Sequence, residues 1–192
     1  MIITRPLSQR EAEQTDQFCR KQNCPTETSH LTVLMIPLTD ISGCNFMGQL
    51  VTHTTMAAEL VTIFESIRKT EYPIERMKPL SVYYGDDDMS MADNNSSCFN
   101  GRLVKGTERW SYHAFGQAVD LNPLTNPWMY AGQVYPPAGR AFMDRSQVHP
   151  AILREDSPVV RIFKAHGWEW GGDWQEQGPD YHHFQKPPRA KN

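Results

Sequence analysis

The sequence predicts an α+β fold, a single compact domain in which helices pack on a mostly antiparallel sheet. Three observations predict it. The chain has 192 residues, 39 % of them hydrophobic and 21 % charged, the size and composition of one ordinary globular domain. Strand-like apolar runs and helix-period patterns both occur along it. No internal repeat or low-complexity tract interrupts them. At this size folding buries roughly 70 % of the surface the unfolded chain exposes. The core therefore needs no metal as a staple, and any bound metal is expected to serve chemistry.

The elements follow in chain order. Leu7 to Lys21 has a helical pattern, and Leu31 to Ile36 reads as a buried strand ended by Pro37. A glycine-marked turn at Gly43 to Gly48 leads to a short strand, Gln49 to His53. Thr54 to Lys69 reads as a helix, because Met56, Leu60, Phe64 and Ile67 recur at spacings of three and four and so share one buried face. Leu80 to Tyr84 reads as a strand, and Gly85 to Ser97 as a long polar loop, of the kind usually functional in a compact domain. Ala118 to Leu121 is a strand candidate, and the Pro-, Gly- and Asn-rich stretch after Pro123 is a loop. A second clear helix starts at Ser157, a good N-cap followed by Pro158, and stops before Gly167. The expected division is an N-terminal extension over 1–30, a domain over 31–186 and a frayed basic tail over 187–192.

Charge and hydropathy exclude several classes. Nineteen Lys and Arg against 22 Asp and Glu give a formal net charge of −3 with no basic stripe, which disfavours nucleic-acid binding. No apolar run approaches the roughly 20 residues a membrane helix needs, so no membrane insertion is expected. The N-terminal residues lack an apolar core long enough for a secretory signal, so an export signal has been removed or another route is used. The four cysteines, Cys19, Cys24, Cys44 and Cys98, have no zinc-ribbon spacing. They fit either disulfides of an oxidising compartment or buried thiols. A monomer is the expected state.

Two distant segments concentrate metal-ligating side chains: Ser-Tyr-His-Ala-Phe-Gly-Gln-Ala-Val-Asp at 111–120 and Asp-Tyr-His-His-Phe at 180–184. A catalytic zinc takes three His or carboxylate ligands and keeps a fourth position for water. His113 and Asp120 with one histidine of the second segment would supply that set. Gly116 and the Ala-Val-Asp-Leu run argue for a bend leading into a strand rather than a helix. His182 and His183 are adjacent, so in an extended segment only one faces the metal. Spacing alone does not choose between them.

These segments, with Gly-Gln-Leu-Val-Thr-His (48–53), Tyr-Gly-Asp-Asp-Asp-Met-Ser-Met (84–91), Asn-Asn-Ser-Ser-Cys-Phe-Asn-Gly-Arg (94–102) and Trp-Gly-Gly-Asp-Trp (170–174), resemble the VanY-like D-alanyl-D-alanine carboxypeptidases and L-alanyl-D-glutamate peptidases. The resemblance runs from about Gly43 to Phe184, with the motifs in order. It implies a Zn2+ site on the sheet with His113, Asp120 and His183 as ligands, Asp180 as general base, Arg102 polarising the scissile carbonyl and Ser111 contacting substrate. Asp stands at the base position where some members carry Glu, and His182 stands where relatives often carry Pro or Trp, which implies an extra titrating group beside the site. The implied activity is hydrolysis of a peptide bond in peptidoglycan stem or cross-bridge peptides, of carboxypeptidase or endopeptidase type. The implied place of action is the cell envelope or periplasm, or the wall of a cell attacked by a phage-encoded enzyme.

Other readings stand beside these. A zinc-containing peptidoglycan-binding module without catalysis would share the fold and ligands but has no use for Asp180. A structural zinc would need a fourth protein ligand. Ser111 also suits a turn cap, and Arg102 an ion pair. Trp168, Trp170 and Trp174 read first as core and second as the lining of a substrate groove, Asp173 as a residue able to orient a metal-bound histidine, and His30, His53, His149 and His166 as structural or solvated. Asp86, Asp87 and Asp88 fit a calcium site, a wall of the active site or a solvated loop.

Overall fold

The structure, a computed structural model, describes residues 1–175 and 178–187. Its main sheet has the order β1-β2-β3, from Ile3–Pro6, Leu31–Thr39 and Asn45–His53, all antiparallel. Strand β2 is buried on both faces, which is why its sequence reads as an apolar run rather than an alternation. Leu34, Ile36 and Leu38 join the larger core, while Leu31 and Val33 face a smaller cluster with Cys19, Leu80 and Phe99. Pro37 does not end the strand as expected: β2 continues to Thr39 with Pro37 opposite Met47. Strand β1 reaches only Met35, so Pro37 lies where one side of β2 is a free edge, a position that tolerates proline. Strand β3 likewise starts earlier than the glycine signal suggests, at Asn45, with Gly48 inside it.

Helix α1, Gln9–Phe18, is shorter than the expected Leu7 to Lys21 and begins at a capping box in which Ser8 and Glu11 bond reciprocally. Helix α2, Ala57–Arg68, follows one 3₁₀ turn at Thr54–Met56. Leu60, Phe64 and Ile67 are fully buried as its period requires, with Met56 packed partly against them. The expected strand at 80–84 is instead a 3₁₀ turn, Leu80–Tyr83. Tyr84 closes it at φ 55°, a left-handed conformation no strand residue adopts. The short strands β4 (Arg76–Met77) and β5 (Asn95–Ser96) pair in parallel on either side of it. The expected loop 85–97 contains helix α3, Asp87–Ala92, because the Asp86 carboxylate accepts the Met89 N–H and nucleates a turn.

A second sheet, in the order β6-β10-β9 (Ala118–Asp120, His183–Gln185, Glu169–Trp170), is antiparallel and carries the segments of chemical interest. Its register sets His183 opposite Asp120 and Phe184 opposite Val119. Phe184 stacks on Phe163 of helix α4, Pro158–Ala165, at 4.1 Å between ring centroids, which pins the sheet to the core. Pro158 takes the first helical position, and Gly167, φ 72°, follows the C-cap His166, as the sequence predicts. The Ser157 hydroxyl accepts from the Arg154 N–H instead of capping the helix. The stretch after Pro123 is not all loop: β7 (Trp128–Tyr130) and β8 (Gln133–Tyr135) form a hairpin around Ala131 and Gly132, both at positive φ. All four cysteines are free, with Cys19 and Cys98 buried and their thiols pushed up to about 12, first by burial. The basic tail beyond residue 187 lies outside the described residues. Among the described residues no helix is long and apolar enough to cross a membrane.

Candidate metal centre

Three side chains from the two distant segments converge on the second sheet. Asp120 ends β6, His183 begins β10 directly opposite it, and His113 projects from a 3₁₀ turn, Tyr112–Phe115, that leads into β6. Gly116 makes that approach possible. Its φ of 59° reverses the chain, and a Cβ there would stand 2.5 Å from the His53 amide nitrogen. Gly171 serves the other strand: a Cβ on it would meet the Asp180 carbonyl oxygen at 2.5 Å and His183 Cβ at 3.3 Å.

His113 Nε2 lies 3.2 Å from Asp120 Oδ2, His183 Nδ1 lies 3.0 Å from Asp120 Oδ1, and the two ring nitrogens are 3.2 Å apart. All three residues are buried. The outward ring nitrogens are engaged. His113 Nδ1 donates to the Cys98 carbonyl, and His183 Nε2 donates to Gln185 Oε1, which is itself held through its amide by Glu169. These bonds fix both tautomers so that the inward nitrogens carry lone pairs. Two imidazole nitrogens and a carboxylate oxygen within 4.8 Å of one another fit a zinc-type ion with a fourth position left to water or substrate. Burial pushes the Asp120 carboxyl up, but His113 and then His182 outweigh it and hold the group well below the ordinary carboxylate range. Burial likewise lowers His113, and the charge of Asp120 raises it to a net upward shift.

The cluster forms part of the wall of a cavity of about 860 Å³. Asp180 is buried in the same wall, and its Oδ1 makes no hydrogen bond among the described residues. Burial raises its carboxyl above the ordinary range, against the opposing charges of His182 and His183. Arg102 lines the cavity and meets the carboxylate of Asp87, whose other oxygen accepts from Asn100. Asp87 is thereby a wall residue that fixes an arginine, Asp86 is a helix cap and Asp88 is exposed. Ser111 is buried at the cavity, where its hydroxyl caps the 3₁₀ turn by accepting from the His113 amide.

The rest of the site departs from expectation in three places. His182 does not face away: residues 181 and 182 form a turn before β10, so strand alternation does not apply. Its Nε2 lies 3.1 Å from Asp180 and 3.9 Å from Asp120. Trp174 is not core; half-buried, it lines the cavity with its ring 5.3 Å from that of His183, whereas Trp168 and Trp170 are buried in the core. Asp173 pairs with Lys164 at 2.7 Å rather than with a histidine of the cluster. Sequence reasoning missed Trp128, which lines the cavity and whose backbone bridges to Asp180. The Trp-Met-Tyr and Gln-Val-Tyr runs flanking Ala-Gly were the available hairpin signal.

Searches of curated proteins and of solved structures returned no match. Residues 105–186 match a family model described as D-alanyl-D-alanine carboxypeptidase. The matched stretch contains Ser111, His113, Asp120, Asp180 and His183, and stops short of Arg102. The match covers less than half of the chain, and over that stretch the sequence is similar to that family.

Proposed function

We propose that the protein is a zinc metallopeptidase that hydrolyses a peptide bond in peptidoglycan stem or cross-bridge peptides, acting at the cell wall, with Asp180 as general base. The observation that carries this reading is Asp180 itself. A carboxyl buried beside a three-ligand cluster, raised in pKa and lacking a hydrogen bond on one oxygen, is unfavourable for stability alone and suits proton transfer. His113, Asp120 and His183 would hold the ion, and their engaged outer nitrogens favour it. A zinc so held supplies Lewis acidity and lowers the pKa of water to about 7.

The chain's own groups do the rest. Asp180 takes the proton from water and returns it to the leaving amine. Arg102, braced by Asp87 at the cavity wall, donates to the carbonyl oxygen as negative charge develops there. Ser111 orients the peptide from the cavity edge, in addition to capping its turn. Burial of the site strengthens each of these electrostatic contacts.

The test is Asp180→Asn, which keeps the size of the side chain but accepts no proton at neutral pH. The variant is expected to retain about one zinc per chain, measured by atomic emission, and to lose roughly 10²-fold or more of its activity on stem peptides. Wild-type turnover in the variant would remove Asp180 from the mechanism.

A further inference from the structure

His182 stands next to the cluster without being one of its three ligands, and its surroundings are built from behind. Its Nδ1 donates to the Asn126 carbonyl at 2.8 Å. Asn126 is itself fully buried and fixed: its side-chain oxygen accepts from Arg145 at 2.6 Å and from the Leu153 amide at 2.7 Å, and its amide donates to the Ala151 carbonyl at 2.9 Å. Arg145 has no carboxylate partner among the described residues. It donates to the carbonyls of Thr125, Phe142 and Leu153 and stacks 4.3 Å over the ring of Tyr181, the neighbour of His182. One buried network therefore fixes both the ring of His182 and the chain that carries it.

The consequence lies on the other side of the ring. With Nδ1 donating to Asn126, Nε2 is aimed at Asp180, 3.1 Å from an Oδ1 that has no other partner among the described residues, and a ring that carries a proton on both nitrogens donates to it there. We propose that His182 is a positioning residue for Asp180: held by Asn126, it presents Nε2 to one carboxyl oxygen and so sets the orientation in which the other faces the reacting water. The inference rests on the reading of Asp180 as general base. It differs from a packing role, in which the bond to Asn126 would be the whole function of the ring.

Two near-isosteric substitutions separate these roles. His182→Gln places an amide near the position of Nε2 and loses the bond to Asn126, whereas His182→Asn places one near Nδ1 and loses the contact with Asp180. The zinc-loaded wild type, His182→Ala, His182→Gln, His182→Asn and Asp180→Asn are compared on a synthetic stem peptide for kcat and KM, with zinc content and thermal melting measured on each. His182→Ala is expected to lower kcat by about 10- to 100-fold, the cost of a misplaced catalytic group, at unchanged KM and zinc content. Gln is expected to recover most of the loss and Asn little of it. Recovery by Asn rather than Gln, loss of zinc from His182→Ala, or wild-type kcat in His182→Ala alongside an inactive Asp180→Asn would each overturn this inference alone. Equal rates for wild type and Asp180→Asn would overturn it together with the reading of Asp180.

Discussion

At the residue scale the site separates groups by what burial does to them. Asp120 and Asp180 are both buried carboxyls in one cavity wall, yet they shift in opposite directions. The charges of His113 and His182, with hydrogen bonds from His113 and His183, outweigh desolvation at Asp120, while desolvation prevails at Asp180. Placement alone thus shifts two groups of the same residue type in opposite directions, as the proposed roles of ligand and proton acceptor require. Arg102 is expected to act on charge developing at the carbonyl oxygen and not on the ion. Arg102→Ala should therefore bind zinc normally and lose about 10²- to 10³-fold in turnover, as measured by parallel metal analysis and steady-state kinetics. Unchanged turnover would assign Arg102 to its pair with Asp87 alone. Much of this scale was legible beforehand, because His, Asp and Gly at fixed spacing announce a bend into a strand. His182 was legible as an extra titrating group beside the site, but its inward turn was not. It depends on where β10 begins, a boundary set by pairing with β6 rather than by residues 180–183 themselves.

At the scale of elements, strands whose sequence matched their burial were read correctly, and those ruled by partners were not. The apolar run of β2 was visible, but its extension through Pro37 depends on how far β1 reaches. The turn at 80–83 and the helix at 87–92 were hidden because Leu-Ser-Val-Tyr has strand-type residues, while a capping aspartate and a left-handed Tyr84 decide the outcome. The helix starts were legible where a cap stands in the sequence. At α1 that cap is also a pH-sensitive element. Glu11 closes the box with Ser8 and pairs with Arg5 at 2.7 Å, and chiefly through that side-chain bond its carboxyl falls from an ordinary 4.5 to about 2. A carboxyl lowered on folding stabilises the fold fully above its unfolded pKa and loses that contribution as pH falls through the folded one. Glu11→Gln should accordingly melt below the wild type at neutral pH. The gap should shrink between about pH 4.5 and 2 and vanish below, as followed by circular dichroism. A gap independent of pH would assign the effect to packing.

At the scale of the whole molecule, the main sheet with its helices forms the core, and the second sheet rides on it through Phe184 and Phe163. The cavity lies where residues 102–105 and 109–113, α3 and Trp128 of the β7–β8 hairpin meet that second sheet. Asp120 and His183 come from an anchored sheet and His113 from the turn that leads into it, and the rest of the wall comes from turns and short elements, an arrangement in which loop changes can alter the cavity without disturbing the cluster. The α+β class followed from composition and periodicity. The enclosure of the site did not, since it is made by long-range contacts such as Trp128 against Asp180. The central claim is that this cavity hydrolyses a peptide bond of the peptidoglycan stem with a metal bound at His113, Asp120 and His183. The most direct measurement is mass spectrometry of muropeptides digested with the zinc-loaded protein and, in parallel, with the protein after chelation. The account predicts one new fragment, released from the stem or cross-bridge by the loaded protein, lost on chelation and regained when zinc is restored. Muropeptides left intact by the zinc-loaded protein, or cleaved equally well after the metal is removed, would contradict it.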